Sequence, residues 1–470
     1  MHKFTISPLV LILAMGLSAC TTFAPDYAKP VADLPDAWGV AGGRKPLPPG
    51  ANWWTIYRDE RLTKLVEEAL ANNTSLAIAV ARVDEVRAQL GVVESGLYPT
   101  VGATLDRSRL GTSQRAGIPL PPGSPIERNT YRAAINVSYE IDLWGRVRNA
   151  VEAARAELLA TESARDTVRI ALSAEVANTY FILRALDEQI GSARRALQSR
   201  RDTQKLQRTR LAAGFISELE VRELDAQIAG GEAQLPQLER QRGTAESALA
   251  LLSGRSPKWV YQARVEHYDA PADPPPASVP PGLPSDLLLR RPDIVQAEEQ
   301  LTAANARVAT ARSAHFPSIT LTGFIGSESA ALTHLFTGPA GIFNLAASLV
   351  QPIFSGGGQE AGIAAARARE TQALLRYRLA VQAAFREVRE ALAAQAYTRV
   401  QFDAEERRAQ SLREAVRLVK LRHENGIASQ LEVLESERGL LASEINRSDA
   451  LRAQRGAMAD LFKALGGGWE

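Results

Sequence analysis

Cysteine and histidine are scarce in this sequence of 470 residues. Cys20 is the single cysteine, and four of the five histidines lie beyond residue 19. One cysteine cannot form an internal disulfide, and no two of these histidines have the spacing of metal ligands. We therefore predict neither a disulfide framework nor a metal site. The four histidines are His267, His315, His334 and His423.

Signals of enzymatic chemistry are also lacking. The glycine run at 356–358 is without the lysine and the serine or threonine of a phosphate-binding loop. No candidate nucleophile stands with a base in a recognisable motif. We therefore expect no enzymatic activity, no catalytic residues and no cofactor, apart from a covalent lipid on Cys20.

Long apolar segments and an excess of one charge are missing as well. Beyond the N terminus no apolar run reaches the length of a transmembrane helix, so a later membrane crossing would have to use strands. The formal net charge is +2, and removal of Lys3 with a signal peptide leaves 54 basic against 53 acidic residues. This balance gives no electrostatic footprint for nucleic acid.

The N terminus has the pattern of a bacterial lipoprotein signal. Lys3 precedes an apolar core at 9–17, which is too short for a spanning helix, and Leu-Ser-Ala-Cys follows at 17–20. We expect a signal peptide at 1–19, acylation of Cys20 and an extended, lipid-anchored surface segment at 20–58. An aspartate after the cysteine would favour inner-membrane retention, so Thr21 indicates the outer membrane.

What the sequence does contain is an internal duplication. The octapeptide GFISELEV that begins at Gly214 has a counterpart, GIASQLEV, that begins at Gly426. The tetrapeptide at 153–156 recurs at the same offset, at 365–368. Such a duplication fixes the architecture. We predict two tandem repeats, at 59–269 and 286–470, joined by a proline-rich linker at 270–285.

Each repeat contains two segments with the alternation of strands, at 98–110 and 128–142, and near 316–326 and 341–354. In the clearest of them, Tyr131, Ile135 and Ile141 share one face, and Arg132 and Asn136 share the other. An apolar outer face with a polar inner face is typical of a transmembrane barrel strand. A half-buried strand of a soluble sheet has the same period, so the pattern leaves both interpretations open.

The sequence pattern of each repeat also predicts two very long helices. They lie at 145–211 and 217–252 in the first repeat, with a break at Gly214, and at 359–424 and 429–465 in the second, with a break at Gly426. A helix of about 65 residues is about 100 Å long, which no small domain requires. Apolar residues in the first long helix step alternately by four and three, the spacing of a coiled-coil seam. These seam positions are Leu172, Val176, Thr179, Leu183, Leu186, Ile190, Ala193 and Leu197.

Four strands cannot close a barrel, because closure takes about eight. Open strand edges in lipid would leave backbone groups unpaired, so each chain should contribute part of a shared barrel. Two chains would supply eight strands, and three would supply twelve and enclose a lumen. The predicted fold is mainly α with a β-barrel portion, in which each repeat gives two transmembrane strands and long coiled-coil helices that reach into the periplasm.

Several stretches resemble the TolC-type outer-membrane factor family, in particular the lipoprotein branch of multidrug efflux systems of RND type. The resemblance covers nearly the whole mature chain. It implies a homotrimer with a 12-stranded barrel in outer-membrane lipid and an α-helical periplasmic tunnel. The inner end of the tunnel is closed until a periplasmic adaptor protein and an inner-membrane transporter engage it. The stretches are Trp53-Trp54 with Asp59 and Leu62, the segment 283–294, Phe316-Pro317, Pro352-Ile353-Phe354 and both glycine-centred tips.

The resemblance also implies roles for residues at the inner end. The residues matching the adaptor-contacting tips are Gly214, Phe215, Gly426 and Ile427. The residues matching the apolar and acidic rings of the closed aperture are Leu431, Glu432 and Glu435. Three-fold proximity of these carboxylates would raise their pKa values, since like charges disfavour ionisation. A solvated helix face with ordinary pairs, such as Glu435 with Arg438, is the alternative.

The expected function is that of the outer-membrane exit duct of a tripartite efflux pump, which passively passes small toxic compounds or drugs from the periplasm to the exterior. One alternative is a duct for protein secretion, whose members usually lack the lipoprotein signal. Another is a structural envelope lipoprotein with no channel, which would not need amphipathic strands. The sequence does not identify the exported compounds.

Overall fold

The structure, a computed structural model, describes residues 52–113, 125–262 and 290–467, together with the single residues 35, 115 and 265. The predicted signal peptide, Cys20 and the linker at 270–285 lie outside these residues.

The described residues form eight α-helices and four β-strands. None of these helices is both long and apolar enough to span a membrane. The helices are α1 (Glu60–Asn72), α2 (Thr74–Glu94), α3 (Arg146–Ala212), α4 (Glu218–Leu252), α5 (Pro257–Tyr261), α6 (Pro292–Ser313), α7 (Gly358–Glu424) and α8 (Gln430–Ala464). The strands are β1 (Thr100–Gly111), β2 (Glu127–Ile141), β3 (Ser318–Ser329) and β4 (Gly341–Val350).

The internal duplication extends to the helix boundaries. Helices α3 and α7 are each 67 residues long, and α4 and α8 are each 35 residues long. Every start and end in the second pair follows its counterpart in the first pair at the same offset that separates Gly214 from Gly426. The sequence therefore predicted the two-repeat plan and the long helices correctly.

The chain divides into two compact units, each described here by itself. The first includes Val83–Thr161 and Ala297–Tyr377 and contains all four strands. They form one antiparallel sheet in the order β1-β2-β3-β4, so that β1 and β4 are its edges. The end of β1, the start of β2 and the connection from β3 to β4 lie at one end of this sheet, and the helices join the strands at the other end.

The register of the sheet gives it one apolar and one polar face. Ile135 pairs with Ala103 and with Ile325, and Ile325 pairs with Phe343, so these side chains share a face. The next row on that face contains Val101, Val137, Gly323 and Leu345. Phe343 and Leu345 are each 84% exposed in the single chain. The alternation predicted for 131–142 is confirmed, and it continues across all four strands.

An aromatic pair links the two repeats within this unit. The rings of Trp144, just before α3, and Phe316, just before β3, are stacked with centroids 4.8 Å apart. The indole Nε1 of Trp144 donates a hydrogen bond of 2.8 Å to the carbonyl of Pro317. The start of α3 is thereby attached to the start of β3.

The second unit includes Glu162–Gln296 and Arg378–Glu470 and is helical. Seven of the eight predicted seam residues of α3 are buried, and Thr179 is half-buried. Arg447 of α8 joins three helices here, because it forms ion pairs with Glu188 of α3 and Glu406 of α7. The seam of α3 is therefore the core of this unit.

The prediction of an extended surface chain up to residue 58 is wrong for its last residues. Trp53–Tyr57 form a 3-10 turn whose two tryptophans are 5% and 3% exposed. The Trp53 ring stacks on Phe462 of α8 at a centroid distance of 5.2 Å, and its Nε1 donates to Ser173 of α3. The Tyr57 hydroxyl donates to the carbonyl of Arg455, and its burial raises the pKa of the phenol. Contacts far along the chain therefore bury this turn.

A buried ion cluster lies in the same unit. The Arg242 guanidinium contacts Asp187 at 2.6 Å and Glu246 at 2.5 Å, and all three side chains are at most 11% exposed. Arg242 also donates to the carbonyl of Val265, whose N–H donates to Glu246. Helices α3 and α4 and the chain at Val265 are thus joined around one guanidinium.

Candidate functional site

The two tips, where α3 turns into α4 and α7 turns into α8, have the same backbone structure. Gly214 and Gly426 have φ angles of +76° and +73°, in the left-handed region that glycine adopts without strain. The N–H groups of Phe215 and Ile427 donate to carbonyls five residues earlier, and those of the two glycines donate to carbonyls three residues earlier. This is a Schellman motif, so each long helix ends with its last carbonyls satisfied.

The returning helices also start in the same way. Ser217 and Ser429 are N-caps, and each forms a capping box with a glutamate three residues later. At the second tip the Ser429 N–H donates to the Glu432 carboxylate at 3.0 Å, and the Glu432 N–H donates to the Ser429 hydroxyl at 3.2 Å. A capping box satisfies two free donors at a helix N terminus. Both turns are therefore held by hydrogen bonds between residues that are three to five positions apart in the sequence.

The residues predicted to contact an adaptor are outside this hydrogen-bonded frame. Phe215 is 81% exposed and Ile427 is 66% exposed. A Cβ at either tip glycine would meet no atom within 4 Å. Exposed apolar side chains next to a rigid turn are suited to burial against another protein.

The three residues predicted for the closed aperture lie on the first two turns of α8, and their side chains differ in what they contact. Leu431 is half-exposed and apolar. Glu432 is held by Ser429, whose backbone N–H and hydroxyl lower the pKa of the carboxyl below its ordinary value of 4.5. Glu435 forms an exposed ion pair with Arg438 at 2.6 Å. In the protomer, both glutamates thus have polar contacts, whereas the Leu431 side chain is apolar and half-exposed.

Behind the tips, the interior side of α8 is packed against both hairpins. Val433 packs with Val419 and Ala428, and Leu434 packs with Leu197 and Leu224. The Nε2 of Gln207 donates to Oε1 of Gln430 at 2.8 Å, and both side chains are buried. A single buried amide pair therefore ties the end of α3 to the start of α8.

Sequence reasoning missed this amide pair, although a signal was available. At the repeat offset, Gln430 replaces Glu218 and Leu434 replaces Arg222. In the first hairpin Glu218 and Arg222 form an exposed ion pair at 2.8 Å. Their replacement by an amide and an apolar residue indicates that the second hairpin buries this helix face where the first exposes it.

The polar face of the sheet is the second part of the candidate site. One charged row on this face consists of Asp106, Arg132 and Glu328, which are paired in register on β1, β2 and β3, and Arg128 lies farther out on β2. At the end joined to the helices, Glu140 receives two hydrogen bonds from Arg146, at 2.7 and 2.6 Å. This face can therefore line an aqueous path between the outer loops and the helices.

The remaining predictions concern the lipidation site, the segment 283–294 and metal binding. Cys20, the predicted lipidation site, and residues 283–289 of the family-like segment lie outside the described residues. Within the described ranges, no group of three or more His, Cys, Asp or Glu side chains is arranged to hold a metal ion.

Comparison with known proteins identifies the family. The family model described as outer membrane efflux protein matches residues 65–255 and 283–467. The chain is 34% identical to the outer membrane protein OprJ of Pseudomonas aeruginosa, over all of this chain and 97% of that protein. It is 32% identical to the probable outer membrane lipoprotein SilC of Salmonella typhimurium, with 99% of each chain covered.

The fold agrees with a solved structure of the same class. The crystal structure of the Campylobacter jejuni CmeC outer membrane channel superimposes with a TM-score of 0.90, at 27% identity and with 96% of each chain covered. Channels of this family act as trimers, with an adaptor and an inner-membrane transporter, and their helices extend into the periplasm. The two repeats, the four-strand sheet and the paired long helices match this architecture, and the chain belongs to the outer membrane efflux protein family as an outer-membrane channel of tripartite pumps.

Proposed function

We propose that this protein is the passive exit duct for small toxic compounds, without enzymatic activity or a cofactor, and that Leu431 closes its periplasmic end at rest. The observation that carries the proposal is that the side chains of the three aperture residues differ in their contacts. Glu432 serves the capping box, and Glu435 is paired with Arg438. Leu431 is apolar and half-exposed. It follows the second tip, which is held in place by the hydrogen bonds that end α7 and those that begin α8.

Three copies of Leu431 around the trimer axis would bury one another and exclude water from the aperture. Each leucine side chain removed from water contributes about 1.5–3 kcal/mol. This apolar contact opposes any repulsion among the nearby carboxylates. Opening requires the second hairpin to move so that the three leucines separate.

The experiment is single-channel conductance in planar bilayers. Leu431→Ser should raise the conductance, because it replaces the apolar contact with a hydrated side chain. The duplication offers a matched control, Leu219→Ser, at the equivalent position of the first tip, where the leucine is 65% exposed. The control should leave conductance unchanged. Equal conductance in the parent and in both variants would disprove closure by Leu431.

Glu432 and Glu435 are proposed to give the aperture its preference for cations. Replacing both by glutamine should reduce cation selectivity and any block by divalent cations, because three-fold carboxylates focus negative potential at the mouth. Glu223→Gln, at the repeat position of Glu435, serves as the control. An unchanged reversal potential in the double variant would rule out this role.

The exposed side chains of the tips, Phe215 and Ile427, are proposed to contact the periplasmic adaptor. Phe215→Ser with Ile427→Ser should reduce drug resistance in cells that carry the complete pump, while conductance and trimer mass stay unchanged. Lost resistance together with lost trimer would instead indicate an assembly defect.

We further propose that Cys20 carries the lipid anchor. Mass spectrometry of the mature N terminus should find acylated Cys20 and no residues 1–19. Retained leader residues or an unmodified cysteine would contradict the anchor but not the duct.

Restored secretion of a protein, without drug resistance, in complemented cells would favour the alternative of a protein-secretion duct.

A further inference from the structure

On the polar face of the sheet, the side chain of Arg132 lies against the strands. Its Cζ is 4.1 Å from the centroid of the Phe324 ring on β3, and both residues are half-buried in the single chain. Phe324 pairs in register with Asn136, four residues beyond Arg132 on β2. The Arg132 side chain therefore runs along the sheet toward the helices rather than straight away from it.

The residues beneath this side chain are as small as the backbone permits. Ala134 and Gly326 pair with each other in the row between Arg132 and Phe324. Ala134 is only 6% exposed, although it lies on an open sheet face. A Cβ at Gly326 would come within 2.1 Å of the Ala133 carbonyl oxygen, so no side chain fits there. The sheet thus provides a shallow channel in which the arginine lies and an aromatic ring at its end.

Acidic residues flank the same arginine. The register places Asp106 on one side of Arg132 and Glu328 on the other, with side chains on the polar face. Directly paired residues on neighbouring strands have Cβ atoms about 5 Å apart. The row of Asp106, Arg132 and Glu328 thus holds two carboxylates and one guanidinium, a net charge of −3 from three chains, and Arg128 lies farther out on the same face.

We propose that Arg132, held by Phe324, is a residue that determines the charge selectivity of the barrel lumen. Cation–π contact displaces its charge inward from the carboxylate row, so a solute that has passed Arg128 from the outside meets a negative ring and then a positive one. The carboxylates of Asp106 and Glu328 favour cationic over anionic compounds at this row, and Arg132 limits that preference. Because the side chain is held flat, its charge acts without narrowing the lumen. This inference rests on the proposed duct, whose polar sheet face must line the water path.

The test measures the potential directly and does not depend on the periplasmic aperture. A reporter cysteine, Ser138→Cys, is placed on the same face, at an exposed position between Arg132 and the helices. Trimers in liposomes are treated from the outer-loop side with a cationic and an anionic methanethiosulfonate reagent. The measured quantity is the ratio of the two modification rates, at about 10 mM salt, where the Debye length is about 30 Å.

Arg132→Gln should raise the ratio of cationic to anionic modification about sixfold, as expected for the loss of three unit charges at a distance of about 14 Å in water when screening over about 30 Å is included. Asp106→Asn with Glu328→Gln should lower the ratio. Phe324→Leu keeps the charge but releases it from its inward position, so the ratio should rise in the same direction as for Arg132→Gln, but less.

The control is Arg107→Gln, which makes the same change of charge on the opposite face. There Arg107 lies over the Tyr131 ring at 5.6 Å, one residue along β1 from Asp106. This variant should change the ratio much less than Arg132→Gln does, because its charge is farther from the reporter and on the other face, and the parent without the reporter should not react. A ratio that is insensitive to Arg132, or equally sensitive to Arg107, would overturn the inference. No modification of the reporter by either reagent would overturn the proposed lumen itself.

Discussion

Gln207 and Gln430 share a hydrogen bond of 2.8 Å between two side chains that are only 2% and 8% exposed. They lie far apart in the sequence and belong to different hairpins. A buried amide is costly to leave unpaired, so this contact holds the second hairpin against the first near the tips. Movement of the second hairpin must break it or carry it along.

The first prediction concerns this amide pair. Gln430→Ala leaves the Gln207 amide buried without its partner, at a cost of about 1–3 kcal/mol. Amide exchange at residues 428–434 should become faster, and channel openings in bilayers should become more frequent. Gln198→Ala, on an exposed face of α3 where Gln198 contacts Asp202, is the control and should change neither quantity. Unchanged exchange in Gln430→Ala would show that the pair does not hold the hairpin.

The second prediction concerns the tip glycines. Gly426→Ala should destabilise the tip by about 1–2 kcal/mol, because the left-handed conformation is strained for any residue with a Cβ. The open space around Gly426 leaves backbone strain as the sole source of this cost. Gly230→Ala, inside α4 and also in open space, should instead stabilise its helix by about 0.5–1 kcal/mol. Hydrogen exchange of the flanking amides measures both effects, and equal signs for the two variants would contradict the reasoning.

The third prediction is a pH dependence at the second tip. The pKa of Glu432 is lower in the folded protein than its ordinary value of 4.5, mainly because the Ser429 N–H and hydroxyl bind the ionised form. Ionised Glu432 therefore stabilises the tip above that value, and the contribution is lost as the pH falls through the lower, folded pKa. Protection of the amides at 429–433 should be greater in the parent than in Glu432→Gln at pH 6, and the difference should shrink as the pH falls below 4.5.

A control for this pH dependence lies on α7, ahead of the tip in the sequence. Glu414→Gln removes a carboxyl whose pKa is also lowered, by Arg417, but far from the capping box in sequence. It should not affect protection at the tip at any pH. A parent-to-variant difference for Glu432→Gln that stays constant from pH 6 to pH 3 would mean that the charge of the carboxylate is not what stabilises the turn.

The fourth prediction compares a buried with an exposed arginine. Arg242→Ala removes the guanidinium from two nearly buried carboxylates, Asp187 and Glu246, and removing one partner of a buried ion pair costs about 3–5 kcal/mol. Arg194→Ala removes an ion pair with Glu239 whose side chains are 53% and 45% exposed, and such pairs contribute at most about 1 kcal/mol. Thermal inactivation half-lives in detergent should shorten strongly for Arg242→Ala and barely for Arg194→Ala. Similar half-lives would contradict the importance of the buried cluster.

The elements with strong periodicity could be predicted from the sequence within a few residues. Helix α7 was expected at 359–424 and is Gly358–Glu424, and the faces of β2 follow the predicted alternation. These features depend on the spacing of apolar residues close together in the sequence, and the long helices repeat that spacing over many turns. The breaks at Gly214 and Gly426 were equally clear, because a left-handed position after a long helix strongly favours glycine.

Contacts between distant parts of the chain could not be predicted in this way. The turn at Trp53–Tyr57 is rich in tryptophan but short, and its burial depends on Ser173 in the first repeat and Phe462 near the end of the second. The same holds for Arg242 with Asp187. The Gln207–Gln430 pair is intermediate, since comparison of the two repeats would have revealed the unusual replacement of Glu218 by an amide.

The shared construction of the two tips separates the part that makes the turn from the part that another protein would meet. The turn depends on a glycine, a serine and a glutamate at each tip, together with backbone groups. Phe215 and Ile427 take part through their N–H groups alone, which every residue except proline possesses. Side chains at these two positions can therefore change over generations without loss of the fold. A new partner preference is reachable by one or two substitutions, and the duplication allows each tip to change independently of the other.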